Sequence, residues 1–366
     1  MEELVKSPSL SFWTEKRVLI TGHTGFKGSW LAYWLTKLGA NVTGIGLEPV
    51  NSPSLYSLLS LDKVIVSHIN DILNYEKYSK IFRNSNPEII FHLAAQPLVR
   101  ESYLQPVKTF STNLMGTINT LELIRLTESV RCAVIVTTDK VYENNDSIYP
   151  FRETDPLGGH DPYSASKATC EIAVNSFRKS FFDKNGTASI ATARAGNIIG
   201  GGDWSSDRLI PDAIRAWNSN SILKIRYPNA TRPWQHVLDP LNGYIKLAEE
   251  IYSAKKLGSA YNFGPDTSSF ASVKDVINKA KIAYGKGEVY YESNYDGPYE
   301  ANTLSLDTSK TKKILNLKPN WDLNSSINKT INWYKELSNG VSAQKLCDID
   351  LKDYKIEKNE KNEKLN

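Results

Sequence analysis

Over the first 200 residues, short apolar runs alternate with stretches whose apolar positions recur at helical spacing. Arg17–Thr21 (RVLIT) is an apolar run closed by Gly22, and a helical pattern follows over about 29–38 until Gly39 stops it. Residues 41–47 and 64–69 are strand-like, 75–83 reads as a helix, and 88–94 (EIIFHLA) is a strand bounded by Pro87 and Pro97. A long helix is expected over about 106–126 and a further apolar strand over 132–138. Alternation of helices with near-continuous apolar strands predicts a parallel sheet covered on both faces.

Beyond residue 200 the pattern loosens. Apolar helical stretches at 209–217, 237–251, 273–283 and 327–337 are separated by loops containing Pro and Asn, with short strands near 260–263 and 289–291. The predicted fold is α/β: a Rossmann-type doubly wound parallel sheet with a smaller, mostly helical C-terminal substrate lobe. The expected division is an extension over 1–14, a dinucleotide-binding domain over 15–200 and a mainly substrate-binding lobe over 201–340, interleaved with the first. The charged, repetitive 341–366 is expected to lie outside the fold as a disordered, solvated tail.

Composition narrows the function. The 366 residues are 40% hydrophobic and 23% charged, with a net charge of +4 from 44 basic and 40 acidic side chains. So balanced a chain does not read as a nucleic-acid protein, although a local basic cleft for a phosphorylated ligand stays open. No segment approaches the ~18 consecutive apolar residues of a membrane helix. Three scattered cysteines, Cys132, Cys170 and Cys347, make neither a disulfide framework nor a metal site. They are expected to be reduced, in a cytoplasmic protein without a metal.

Gly22-His-Thr24-Gly25-Phe26-Lys27-Gly28 follows the first strand and opens a helix. Glycines there let the backbone turn tightly and approach a pyrophosphate, which the helix N-terminus attracts. An acid for the adenosine ribose belongs at the end of the second strand, yet Gly46 stands there and Glu48 lies two places on. Asp71 and Ile72, after the third strand, are candidates for the adenine end. Ala94, Ala95 and Gln96 close the fourth strand, where small residues admit a flat cofactor.

Tyr163-Ser-Ala-Ser-Lys167 places a phenol and an ammonium on one helical face. A phenol titrates near 10, and a nearby ammonium is expected to lower that value. Lys167 is also placed to bind a cofactor ribose. At the exit of the fifth strand stand Thr138, Asp139 and Lys140. Three consecutive residues of a flat strand cannot face one ligand, so the chain must bend there.

These stretches resemble the extended short-chain dehydrogenase/reductase superfamily, and within it most strongly the CDP-glucose 4,6-dehydratases. The motifs are KRVLITGHTGFKGSWLAYWL, HLAAQPLVRESY, TTDKVYEN, DPYSASKATCE, TARAGNIIGGGDW, DRLIPD and RPWQHVLDP, over about 12–330. The resemblance implies NAD as cofactor, CDP-glucose as substrate and CDP-4-dehydro-6-deoxyglucose as product, in deoxysugar biosynthesis of the lipopolysaccharide O-antigen type. It also implies a homodimer paired through the helices at about 106–126 and 164–182. In such a reaction Tyr163 takes the C4 hydroxyl proton, Thr138 hydrogen-bonds the C4 oxygen, and Asp139 is the acid for the C6 hydroxyl if its pKa is raised. Lys140 is either the base for the C5 proton or an electrostatic stabiliser of the enolate. Related dehydratases typically carry a glutamate there.

A substrate diphosphate needs cationic donors, for which Arg208 and Arg232 are the candidates, with Asn197 beside them. His236 is as readily structural as substrate-facing, and Arg100, Ser102 and Tyr103 are candidates for the hexose pocket. Two rival readings are a nucleotide-sugar 4-epimerase, which has no use for the Asp139–Lys140 pair, and a non-catalytic cofactor-sensing regulator, which has no need of Tyr163 and Lys167.

Overall fold

The computed structural model describes residues 8–363 apart from 145–146, 148, 184–187, 254–256, 266–269 and 293–303, with side chains to residue 354. Seven strands form its central sheet: β1 (Arg17–Thr21), β2 (Asn41–Gly46), β3 (Val66–Ile69), β4 (Ile89–His92), β5 (Cys132–Val136), β6 (Ser189–Ala195) and β7 (Ala260–Phe263). Their order is β7-β6-β5-β4-β1-β2-β3, and every neighbouring pair is parallel. The unbroken apolar runs follow from this. On β1, β4 and β5, Val18, Ile20, Ile89, Phe91, Cys132, Val134 and Val136 join one buried cluster, while Leu19, Ile90, Ala133 and Ile135 join another. Alternate side chains thus feed separate cores, one on each face of the sheet.

The helix Pro162–Phe177 shows how local sequence sets an element. Asp161 caps it by accepting from Ser164 N at 2.9 Å, and Pro162 fills the first position, whose missing N–H costs nothing there. The capped turn fixes the start of the helix, and so the direction of Tyr163 and Lys167. The long helix expected over 106–126 is instead Pro106–Phe110, a π-helical stretch Ser111–Met115, and Gly116–Arg125.

The disordered tail is overturned. Residues Ala343–Glu363 form a helix, and Ala343, Leu346, Cys347, Leu351 and Tyr354 are buried in the main core. Tyr354 packs edge-on against Trp34 and Trp321. Those positions recur at i, i+3 and i+4, so the stripe was present in the sequence under the charge that flanks it. Residues 364–366 lie outside those described. In the N-terminal extension, Leu10–Trp13 is a helical turn whose Trp13 is fully buried and donates to Glu249 at 2.7 Å.

Candidate active site

The site lies at the carboxyl end of the sheet. After β1 the chain turns at Gly22, which has φ +76°, and a Cβ there would stand 2.7 Å from the Ala94 backbone nitrogen. A Cβ on Gly28 would meet the Gly22 carbonyl at 2.0 Å. Gly25 caps the helix Phe26–Lys37 with no side chain over its first turn, so that end faces outward as an anion cradle. The residues present fit a dinucleotide pyrophosphate. Lys27 is half-buried. Burial draws its pKa down to about 7, the Lys167 and Arg208 charges push the same way, and Asp139 opposes them. Thr24 is turned away, donating to the Leu47 carbonyl at 2.7 Å and tying the loop to the end of β2.

The missing acid at Gly46 has a steric counterpart. A Cβ on Gly44 would strike the His23 ring at 2.4 Å, and one on Gly46 would sit 3.2 Å from His23 Nδ1. His23 Nε2 pairs with Ser67 Oγ at 2.7 Å, which in turn meets Tyr56 Oη at 2.7 Å. Burial pulls His23 down to about 4, so the imidazole is neutral. Asp71 is exposed and closes its own turn on Leu73 N at 2.9 Å, whereas Ile72 is a core residue, its methyl within 2.3 Å of any Cβ on Gly116. Ala94 and Ala95 border the loop, but the Gln96 side chain is committed to Leu98 and Thr109. That amide shapes the turn, so what Gln96 offers a flat cofactor is its backbone.

The catalytic candidates do converge. β5 stops at Val136, Thr138 caps a 3₁₀ turn over Asp139–Val141, and the required bend is there. Thr138 Oγ1 donates to Asp139 Oδ1 at 3.0 Å and lies close enough to Tyr163 to pull the phenol's pKa down. Asp139 is 2% exposed and its Oδ2 has no partner among the described residues. Burial raises its pKa, against the opposing pull of Lys140, Thr138 and Arg232. The expected lowering of Tyr163 does not occur. Burial pushes the phenol up to about 12, outweighing Thr138 and Arg208. Lys167 points instead at the Val136 carbonyl, 3.1 Å away, and burial lowers its pKa.

On the substrate side the candidates divide. Arg208 reaches the Pro97 carbonyl at 3.4 Å with its charge on Tyr163 and Lys27, and buried Arg232 lies beside Asp139. Asn197 is half-buried, its carbonyl taking Gln235 N at 3.1 Å. Arg100 pairs with Asp207 at 3.0 Å, as Arg226 does at 3.2 Å, and Tyr103 is partly exposed nearby in sequence. Two candidates are corrected. Ser102 is fully buried with its hydroxyl on the Val99 carbonyl at 2.6 Å, inside its own helix. His236 is fully buried edge-on to Trp321 at 4.6 Å, and burial lowers it to about 3. Both are packing residues.

A model of the GDP-mannose 4,6 dehydratase family matches residues 19–330. The chain belongs to that family. This GDP-mannose 4,6 dehydratase family member is 41% identical over 349 residues to the CDP-glucose 4,6-dehydratase of Salmonella typhimurium, covering 94% of this chain and 97% of that protein. It is 26% identical to the dTDP-glucose 4,6-dehydratase of the same species, covering 87% and 92%. An epimerase from Methanothermobacter thermautotrophicus superposes with a TM-score of 0.77 at 25% identity, covering 90% and 95%. For the Bacillus anthracis dTDP-glucose 4,6-dehydratase solved with NAD, the TM-score is 0.72 at 20% identity, with 88% and 97% covered; it shows the shared fold.

Sequence reasoning missed the polar network behind the site of this family member. Glu171, four residues after Lys167, accepts from Thr137 at 2.6 Å, Thr192 at 2.7 Å and Arg194 at 2.9 Å. Four buried polar side chains from three elements carry no periodic signal. Only the 3.6-residue phase of the helix aligns Glu171 with Lys167.

Proposed function

We propose that this protein is a CDP-glucose 4,6-dehydratase, converting CDP-D-glucose to CDP-4-dehydro-6-deoxy-D-glucose and water. The observation that carries the reading is the buried Asp139, its pKa raised by burial, hydrogen-bonded to Thr138 beside Tyr163. An acid so placed serves expulsion of a hydroxyl and is idle in epimerisation. Full-length similarity to a CDP-glucose 4,6-dehydratase supports the choice of nucleotide.

The Gly22–Gly28 cradle and Lys27 would hold the pyrophosphate of NAD, with Lys167 near its ribose. NAD, when bound, would supply a cationic ring that accepts hydride from C4 and later returns it to C6, as a proton is returned to C5. Tyr163 takes the C4 hydroxyl proton, and Thr138 steadies the oxygen that becomes the ketone. The ketone acidifies the C5 hydrogen. Lys140 faces the resulting enolate, as the amine that takes the C5 proton or as an ammonium that offsets the charge. Asp139 gives its proton to the departing C6 hydroxyl, so water leaves across C5–C6. Arg208 and Arg232 hold the substrate diphosphate. The enzyme is read as a cytoplasmic homodimer, joined through the faces carrying Val107, Met115, Ile172 and Phe181, all exposed in the monomer. Light scattering of the purified protein tests this, and a monomeric mass rejects it.

The deciding experiment incubates the purified protein with NAD and CDP-, UDP-, dTDP- or GDP-glucose. Product is scored by the alkali-induced enone chromophore and by galactose formation. Chromophore with CDP-glucose alone is expected. Galactose without chromophore makes it an epimerase, and chromophore only with another nucleotide reassigns the base.

A further inference from the structure

Backbone pairing with the neighbouring strand ends at the Thr137 N–H, which bonds the Ala193 carbonyl at 2.9 Å, and resumes in a bridge between Tyr142 and Leu157; the bend between them, which carries Thr138, Asp139 and Lys140, is held at both ends by side chains as well. The residue before the turn, Thr137, donates its buried hydroxyl to Glu171 Oε1 at 2.6 Å. Tyr142, which follows the turn, accepts from Arg194 Nη1 at 2.9 Å and donates to Asn262 Oδ1 on β7 at 2.6 Å. Glu171 and Arg194 are themselves a buried pair, 2.9 Å apart with side chains 3% and 4% exposed. One ion pair therefore grips the catalytic turn at both ends. Further contacts fix the far end. The Arg194 guanidinium lies 5.0 Å over the Tyr142 ring, and that ring stacks on Phe151 at 4.9 Å.

Tyr163 is held differently, although its helix also carries Glu171 and Lys167, whose ammonium reaches the Val136 carbonyl at 3.1 Å. That helix has its own Asp161 cap and its own backbone ladder. Loosening Thr137 or Tyr142 would move Asp139 and Lys140 relative to the substrate while leaving Tyr163 on its helix.

We infer that Glu171 and Arg194, acting through Thr137 and Tyr142, are positioning residues for the water-elimination step of the proposed reaction. The inference rests on the dehydratase reading and assigns these residues no contact with substrate. A displacement of the acid by a fraction of an ångström is costly to proton transfer, because the donor must stay within hydrogen-bond reach of the leaving oxygen.

The test uses Thr137→Val and Tyr142→Phe, each removing one hydroxyl with little change of shape, in the full-length protein with NAD. Glu171→Gln is the more direct variant, but it leaves a buried guanidinium poorly paired and is secondary for that reason. Single-turnover mixing with CDP-glucose follows reduced-nicotinamide absorbance and, separately, 4-keto-6-deoxy product. Oxidation of C4 is expected within about twofold of the parent, while product formation slows roughly tenfold. Reduced nicotinamide then accumulates transiently where the parent shows none, and Thr137→Ser restores the parent partition. A purely structural role would lower the thermal midpoint and slow both phases alike. That result, or an unchanged partition in both variants, overturns the inference. The parent in the same assay separates the two claims: a parent that forms no product from any nucleotide hexose refutes the dehydratase reading itself.

Discussion

Asp139 and Glu171 are both buried acids behind the same sheet edge, and the fold treats them in opposite ways. Glu171 is surrounded by donors: two hydroxyls and a guanidinium share its two oxygens. Among the described residues Asp139 has a single hydroxyl on Oδ1 and no partner on Oδ2, and burial raises its pKa. A satisfied carboxylate is an anchor, because every donor it holds would be stranded by its removal. An unsatisfied one favours its protonated form and keeps a proton to give. The comparison matches the proposed division between a residue that positions the site and one that reacts.

The largest effect should come from outside that pair. Tyr163→Phe removes the group proposed to take the C4 proton, and turnover is expected to fall by roughly 10³-fold or more, with no reduced nicotinamide appearing. Asp139→Asn should lower turnover by roughly 10²-fold or more while still oxidising C4, so that reduced nicotinamide builds up. Rapid-mixing absorbance distinguishes the two. An Asp139→Asn protein that accumulates none would show that Asp139 is not the acid.

The same contrast predicts a pH signature in the unmodified enzyme. The Asp139 pKa is raised, so its acid form persists above the usual carboxyl range and is lost as pH rises. Burial holds Tyr163 at about 12, so the phenolate it needs becomes more abundant over the same interval. Alkaline pH therefore favours oxidation and disfavours elimination, and the steady-state fraction of reduced nicotinamide should rise as the assay is made more alkaline. A falling fraction would reverse the assigned roles.

How far the sequence revealed this follows from what each element depends on. The glycine turn, the parallel strands and the bend at Thr138 are set by local rules of conformation and by burial on two faces, and all were readable. The tyrosine–lysine pairing was readable as proximity but not as energy. The spacing says the two share a face; it does not say that burial outweighs the ammonium or that Lys167 turns to the Val136 carbonyl. The His23 ring beside Gly44 and Gly46 was hidden because it depends on packing between β2 and the loop after β1. The C-terminal helix was missed for a different reason: charge density was weighted above a clear 3–4 spacing of Ala343, Leu346, Cys347, Leu351 and Tyr354.

That helix supplies the control for the opening comparison. Asp350 is 5% exposed, its Oδ2 has no partner among the described residues, and burial raises its pKa to about 7, with Lys329 opposing and Asp353 adding to the rise. Electrostatically it resembles Asp139, yet it sits in the packing of the C-terminal helix, away from Tyr163 and the glycine loop. The folded state binds a proton here that the unfolded chain releases near pH 4. The stability from this proton is therefore complete at the acid end and lost as pH rises toward 7. Asp350→Asn is expected to stabilise the protein by roughly 1–3 kcal/mol at pH 8, by almost nothing at pH 4, and to leave turnover unchanged. Urea unfolding at the two pH values measures the difference. A stability gain equal at both would mean that Asp350 is not the titrating group. A loss of turnover would mean that a raised buried carboxyl marks function even outside the pocket, and the distinction drawn between Asp139 and Asp350 would fail.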